Sequence, residues 1–262
     1  MPLLEVDDLG KQFASAQRHG EAPWIVRKLG FALEEGEFVT LLGPSGAGKS
    51  TILNMIGQVE PASEGRIRLR GATVLDGART RLQPGLGRQI GYVTQDDNLL
   101  PWRTLIDNVL FGLEIQGPVG MPGLLRAQEM MEMVGLSGFE HYYPHELSGG
   151  MRKRAALIRT LVYQPPIILM DEPFGALDAQ TRTQLQADLQ RLCERNRQTI
   201  LFVTHDIAEA IALGDRVLVL KRAPSAVIGE HRVDLPRPRI VDDILTDARF
   251  AALYEAIRAQ VR

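Results

Sequence analysis

The sequence predicts an α/β fold built on a mainly parallel sheet, with a helical segment inserted into it. Three observations predict it. Apolar runs of strand length (residues 38–42, 167–170, 200–204 and 217–220) alternate with stretches of helical spacing, as crossover connections require. The first of these runs ends at Gly43 in a glycine-rich turn that opens directly into helical residues. From Asp96 to about Tyr163 helical patterns dominate.

In chain order, residues 3–6 and 25–33 read as strands, separated by a polar, glycine-containing turn over 15–21. Residues 38–42 are the apolar run of a strand covered on both faces, and 49–56 have helical character. Further strands are expected at 67–69 and 90–94. Helices are expected at 105–115, 124–134 and 151–162, with Gly117, Pro118, Gly120, Pro122 and Gly123 breaking the first from the second. After the strand at 167–170, Leu185, Leu189 and Leu192 fall on one helical face. Strands at 200–204 and 217–220 follow, then a small β-like segment beyond Lys221. The alternating prolines of Leu235, Pro236, Arg237, Pro238 and Arg239 favour an extended conformation. Phe250, Tyr254, Ile257 and Val261 recur at helical spacing and predict a terminal amphipathic helix.

Composition narrows the function classes. A length of 262 residues suits one α/β domain carrying an inserted subdomain. The formal net charge of -2 supplies no global basic field for nucleic acid or an anionic membrane, so anion binding must come from a local site. The single cysteine, Cys193, excludes an intramolecular disulfide and reads as a half-buried helix residue. The acidic N-terminal stretch lacks the apolar core of a signal peptide, and no apolar run approaches the roughly 18 residues of a membrane span. A cytoplasmic chain is the expectation, and any membrane role requires a partner.

Gly43, Pro44, Ser45, Gly46, Ala47, Gly48, Lys49, Ser50 and Thr51 match G-x-x-x-x-G-K-[ST] in full. Glycines let backbone N–H groups curl around a phosphate, and the following helix points its positive end at the same charge. Lys49 adds a cation at the β- and γ-phosphates, and Ser50 offers a hydroxyl to Mg²⁺. The run 167–170 ends in Asp171 and Glu172. A buried strand would deliver Asp171 to the sheet edge near the glycine loop, where it can hold Mg²⁺ through water, with Glu172 placed to orient or deprotonate the attacking water. A second anion-binding helix start follows from Leu147, Ser148, Gly149, Gly150 and Met151, with Ser148 as N-cap. One nucleotide cannot easily use both helix starts in cis, which suggests that the second serves a nucleotide held by another copy. His19, His141, His145 and His231 show no metal-ligand arrangement.

At this point the chain resembles the ABC ATPases. Residues 147–151 look like that family's signature motif, and its other elements occur in order. Phe13 matches the aromatic residue that stacks on adenine. Gln95 matches the Q-loop glutamine, Ala176, Leu177 and Asp178 the D-loop, and His205 the switch histidine. The resemblance covers residues 3–233. It implies a P-loop NTPase core with an antiparallel β subdomain and an inserted helical subdomain. It implies ATP and Mg²⁺ as cofactors, with the metal at Ser50, Gln95 and Asp171. Glu172, His205 and Gln95 are the implied catalytic residues; Phe13, residues 43–51, Ser148, Gly149, Gly150 and Asp178 hold the nucleotide. The whole chain is then one ATPase domain, 1–95 and 164–233 being the catalytic core, 96–163 the helical subdomain and 234–262 a C-terminal extension.

A finer likeness lies in residues 98–103, 144–151, 171–178 and 235–239, which are similar to the nitrate, sulfonate and taurine importer branch. It implies a homodimer on the cytoplasmic face of the bacterial inner membrane, bound to permease subunits and served by a solute-binding protein, with no nucleic acid partner. Lys153 departs from that branch's usual Gln, and residues 57–59 and 158–164 also differ. The alternatives are an ATPase of another ABC system moving lipid or other cargo, a soluble non-transport ABC ATPase, and a P-loop kinase or GTPase. The last would leave Gln95, residues 148–150 and His205 without roles.

Overall fold

The structure is a computed structural model, and it describes residues 1–13, 23–77, 85–175, 177–237, 239 and 241–261. The turn expected at 15–21, Ala176 of the D-loop and Pro238 lie outside the described residues. The elements run β1 (Leu4–Gln12), β2 (Trp24–Leu33), β3 (Phe38–Leu42), α1 (Lys49–Ile56), β4 (Glu64–Leu69) and β5 (Ala72–Asp76). Then come α2 (Leu86–Gln89), β6 (Ile90–Val93), α3 (Leu105–Glu114), α4 (Met121–Met133), a 3₁₀ turn (Pro144–Glu146), α5 (Gly149–Leu161), β7 (Ile167–Asp171) and α6 (Ala179–Asn196). The chain closes with β8 (Thr199–Thr204), α7 (Ile207–Leu213), β9 (Arg216–Leu220), β10 (Val227–Arg232), α8 (Val241–Ile244) and α9 (Ala248–Val261). The residues divide into two compact units, Met1–Pro84 with Thr199–Arg262, and Gly85–Gln198. The fold is the expected α/β class.

In the first unit, β3 lies between β8 and β9 and is parallel to both. All five of its residues are buried, as a central strand between two neighbours requires, and the one polar residue, Thr40, has its hydroxyl donating to the Ala210 and Arg216 carbonyls. β10 joins the far side of β9 antiparallel, and its side chains alternate between half-buried and exposed. A separate antiparallel sheet has the order β2-β1-β4-β5. Here β1 runs well past the expected 3–6. Asp8 adopts φ 46° where the register with β2 shifts, so the strand crosses a bulge that apolar counting cannot see. The β4–β5 hairpin was not expected either. It turns on Arg70 and Gly71, both at positive φ, the two-residue geometry that matches strand twist.

The C-terminal helix packs into the core of this unit. Phe250 and Ile257 of α9 join Leu42, Ile211, Val217, Val219, Val233 and Leu235 in one buried cluster. Covering each such side chain contributes about 1.5–3 kcal/mol. Arg239 is also buried: its guanidinium donates to the Ile211 and Gly214 carbonyls at the end of α7 and to those of Val233 and Leu235. A cation at a helix C-terminus satisfies carbonyls that have no helical partner.

In the second unit, β6 and β7 pair in parallel from Ile90↔Ile167 to Val93↔Met170. α3, α4 and α5 pack on one another, and α5 also packs on β6. Thr104 caps α3, accepting from Asp107 N at 3.4 Å. α4 begins at Met121, not at the expected residue 124. Pro122 sits in its first turn, where a missing N–H costs nothing, so the Gly/Pro cluster starts this helix as well as separating it from α3. None of the described helices is long and apolar enough to cross a membrane.

Candidate nucleotide site

The glycine loop is built by what precedes and follows it. β3 delivers Gly43 from a buried strand, and α1 starts at Lys49. Gly46 and Gly48 lie at φ 77° and 73°, left-handed values that favour glycine. A Cβ at Gly48 would fall 3.0 Å from Ile25 Cγ2, so this residue also lacks room. The N-terminus of α1 has no side-chain cap, and its dipole favours an anion there. Lys49 is buried, and its Nζ donates to the Gly43 and Pro44 carbonyls at 2.9 and 3.1 Å. Ser45, Gly46 and Ser50 are exposed, and Pro44 and Thr51 are half-buried.

Two partners from far along the chain brace this loop. Gly43 N donates to Thr204 O at 3.4 Å, which joins the loop to the end of β8 just before His205. His205 is exposed, immediately ahead of α7, whose cap Asp206 accepts from Glu209 N at 3.1 Å. Below them Thr204 Oγ1 donates to the buried Glu209 carboxylate. The other brace is Ser225, fully buried, whose hydroxyl donates to Ala47 O and whose backbone N–H donates to Ile25 O at 2.8 Å. Sequence reasoning missed Ser225, because nothing in the residues around it marks a partner 178 positions away. Phe13, also in the first unit, follows β1 with 46% of its surface exposed, and the Lys11 ammonium lies 4.8 Å from its ring centroid.

The second unit carries the acids. Residues 167–170 of β7 are buried and Asp171 at its end is half-buried. Tyr92 on β6 has its phenol pKa raised, first by burial and then by the negative charge of Asp171. Glu172 follows at φ 41°, an uncommon value for a residue with a side chain. The chain then doubles back, Gly175 N donating to Glu172 O at 3.1 Å. A Cβ at Gly175 would sit 3.8 Å from Glu172 Oε2 and 3.9 Å from Gln95 Nε2. Gln95 and Glu172, 77 positions apart, therefore direct their polar tips at one small space.

Ser148 caps α5 as its position predicts, accepting from Met151 N at 3.3 Å. Gly149 is exposed; a Cβ at Gly150 would fall 2.9 Å from Thr181 Cγ2, so α6 packs closely here. Asp178 caps α6, accepting from Thr181 N at 3.0 Å, and this hydrogen bond lowers the carboxyl's pKa. The structure thus brings together residues 43–51 with Thr204 and His205 in one unit. In the other it brings Gln95 to Glu172, and residues 148–150 to the start of α6.

A left-handed glycine loop opening an uncapped helix, with a buried strand ending in two acids, defines a P-loop ATPase. Residues 26–175, more than half of the chain, match the ABC transporter family, and the chain belongs to that family as an ATP-binding, ATP-hydrolysing protein. It is 41% identical over 262 residues to a taurine import ATP-binding protein, TauB, of Rhizobium johnstonii, covering 98% of this chain and 95% of that one. It is 42% identical over 219 residues to an aliphatic sulfonates import ATP-binding protein, SsuB 2, of Rhodococcus jostii, covering 84% and 81% of the two. Among solved structures it is similar to the dimeric, post-hydrolysis state of the ATP-binding cassette MJ0796 bound to ADP and Pi. That likeness has a TM-score of 0.75 at 32% identity and covers 89% of this chain and 100% of the other.

Proposed function

We propose that this chain energises the import of a small nutrient of the nitrate, sulfonate and taurine class, each carrying an anionic group. It does so as a homodimer on the cytoplasmic face of the bacterial inner membrane, attached to separate permease subunits and indirectly served by a solute-binding protein. The observation that carries this reading is the presence of two helix starts suited to an anion in one chain, α1 behind the glycine loop and α5 behind Ser148. Each is used fully if two copies meet head to tail, the loop of one and the α5 start of the other sharing an ATP. The cargo class rests on the likeness to the taurine and aliphatic sulfonate import proteins.

In this reading 1–95 and 164–233 form the catalytic core, 96–163 the helical subdomain and 234–262 a C-terminal extension. Backbone N–H groups of residues 43–51 and the Lys49 ammonium hold the phosphates, and Phe13 stacks on the base. The oxygens of Ser50, Gln95 and Asp171 are the hard donors that Mg²⁺ prefers and would hold it. When bound, the ion neutralises charge on the β- and γ-phosphates. Glu172 accepts a proton from the attacking water, Gln95 orients that water, and His205 donates to the γ-phosphate. Asp178 holds the start of α6 beside Gly150, where the second copy arrives. Trp102, 72% exposed while Leu99 three residues earlier is buried, offers an apolar contact to the permease.

The test uses the full chain carrying Glu172→Gln, tagged and purified from membranes in mild detergent with ATP. A co-purifying polytopic membrane protein is the expected result, and its companion binding protein should take up taurine or alkyl sulfonates. An ATP-bound dimer recovered alone, where known transporter complexes survive, would instead support a soluble ABC ATPase.

A further inference from the structure

The first turns of α5 read Met-Arg-Lys-Arg, and Arg159 follows two turns on. Three of these cations reach one short segment, the residues after β6. Arg152 Nε pairs with Asp97 Oδ2 at 3.0 Å. Lys153 Nζ donates to the backbone carbonyl of Gln95. Arg159 donates to the Asn98 carbonyl at 2.7 Å and the Asp97 carbonyl at 2.9 Å. The segment also braces itself: Thr94 Oγ1 donates to Asp96 O and Asn98 Nδ2 to Thr94 Oγ1, each at 2.8 Å. Carbonyls left over by so tight a turn are satisfied from outside, and α5 is what satisfies them.

We propose that Lys153 is a positioning residue for Gln95: its ammonium holds the Gln95 carbonyl, so that the stance of residues 95–98 follows the helix that begins at Ser148. The proposal rests on the reading of Gln95 as a catalytic and metal-binding residue. Lys153 is half-buried. A charge-assisted hydrogen bond from a partly desolvated ammonium is stronger than one in open water. Arg152 and Arg159 grip the same segment on either side, so a movement of α5 reaches Gln95 without passing through flexible chain. The Gln95 side chain in turn shares the space above Gly175 with Glu172. The helix start read as meeting a second copy's nucleotide and the glutamine read as serving this copy's own reaction are therefore joined by one rigid element. Lys153 touches neither nucleotide in this arrangement; it acts through Gln95.

The experiment compares Lys153→Met, Lys153→Arg and Gln95→Ala in the full chain, measuring ATP turnover, thermal melting and hydrogen exchange over residues 95–99. Lys153→Met should lower kcat roughly tenfold, the scale of a small misplacement of a reacting group, with KM for ATP within about twofold. Exchange over 95–99 should quicken while the melting temperature stays put, and Lys153→Arg should restore kcat because the guanidinium also donates to a carbonyl. Turnover lost in Gln95→Ala but kept in Lys153→Met overturns the positioning role alone. Turnover kept in Gln95→Ala overturns the role of Gln95, and the positioning role with it. Equal losses in kcat and melting temperature, unrescued by Lys153→Arg, also overturn it, since they mark Lys153 as structural.

Discussion

Glu172 sits at φ 41° at the end of a buried strand, a conformation that costs a non-glycine residue roughly 1–3 kcal/mol. Such a cost is tolerated where the surroundings hold the geometry, and here the Gly175 N–H bonded to the Glu172 carbonyl fixes the turn that follows. Glu172→Gln keeps the shape and removes the base, so turnover should fall by about 10²–10⁴-fold with ATP binding intact. Steady-state hydrolysis beside a nucleotide-binding titration checks this, and near-normal hydrolysis would remove Glu172 as the base. The two left-handed glycines of the loop separate in the same way. Alanine at Gly46 meets open space and carries only the backbone term, about 1–2 kcal/mol. Alanine at Gly48 adds crowding against Ile25 and Ser225. Denaturant titration should therefore find Gly48→Ala the more destabilised, and equal losses would show that the contact with Ile25 relaxes freely.

At the scale of elements, α9 belongs to the core of its unit. Ile257 is fully buried among residues of α7, β9 and the chain before α8, and Leu253, Tyr254 and Val261 pack on the same cluster. Ile257→Ala should cost roughly 2–4 kcal/mol in an unfolding titration; a change below about 1 kcal/mol would mean that the helix is only loosely applied. The spacing of Phe250, Tyr254, Ile257 and Val261 predicts the helix, but not what it covers. Other elements show where such reading stops. β3 and β8 are legible because every residue in them is buried and all but the threonines are apolar. β5 and the second half of β1 are not, because Asp7, Asp8, Ala72 and Thr73 are exposed and carry no apolar period. α7 is seven residues long, too short to establish a helical repeat.

For the whole molecule, the proposed unit of function is two copies around shared ATP. Ser148→Arg places a long cation where the second copy's nucleotide is read to lie, leaving the glycine loop of its own copy untouched. In a Glu172→Gln background with ATP, the parent should elute as a dimer. The added Ser148→Arg should give a monomer that still binds ATP, with turnover lost when Glu172 is restored. A persistent dimer with full turnover would refute the shared-site arrangement.

Much of the candidate site can be read from residues alone, because phosphate chemistry needs particular atoms at close sequence spacing. Residues 43–51, the Asp171 and Glu172 pair and the Ser148 helix start are each contiguous, so their spacing carries the signal. Gln95 and His205 are single residues that chain position makes noticeable only beside those motifs. What required the tertiary structure is everything held together by distant partners: Ser225 under Ala47, Thr204 against Gly43, Gln95 beside Glu172, and Lys153 on the Gln95 carbonyl. These contacts depend on where backbone carbonyls and small residues come to lie after packing. A carbonyl is the same in every residue, so no sequence pattern announces which one a distant serine or lysine will find.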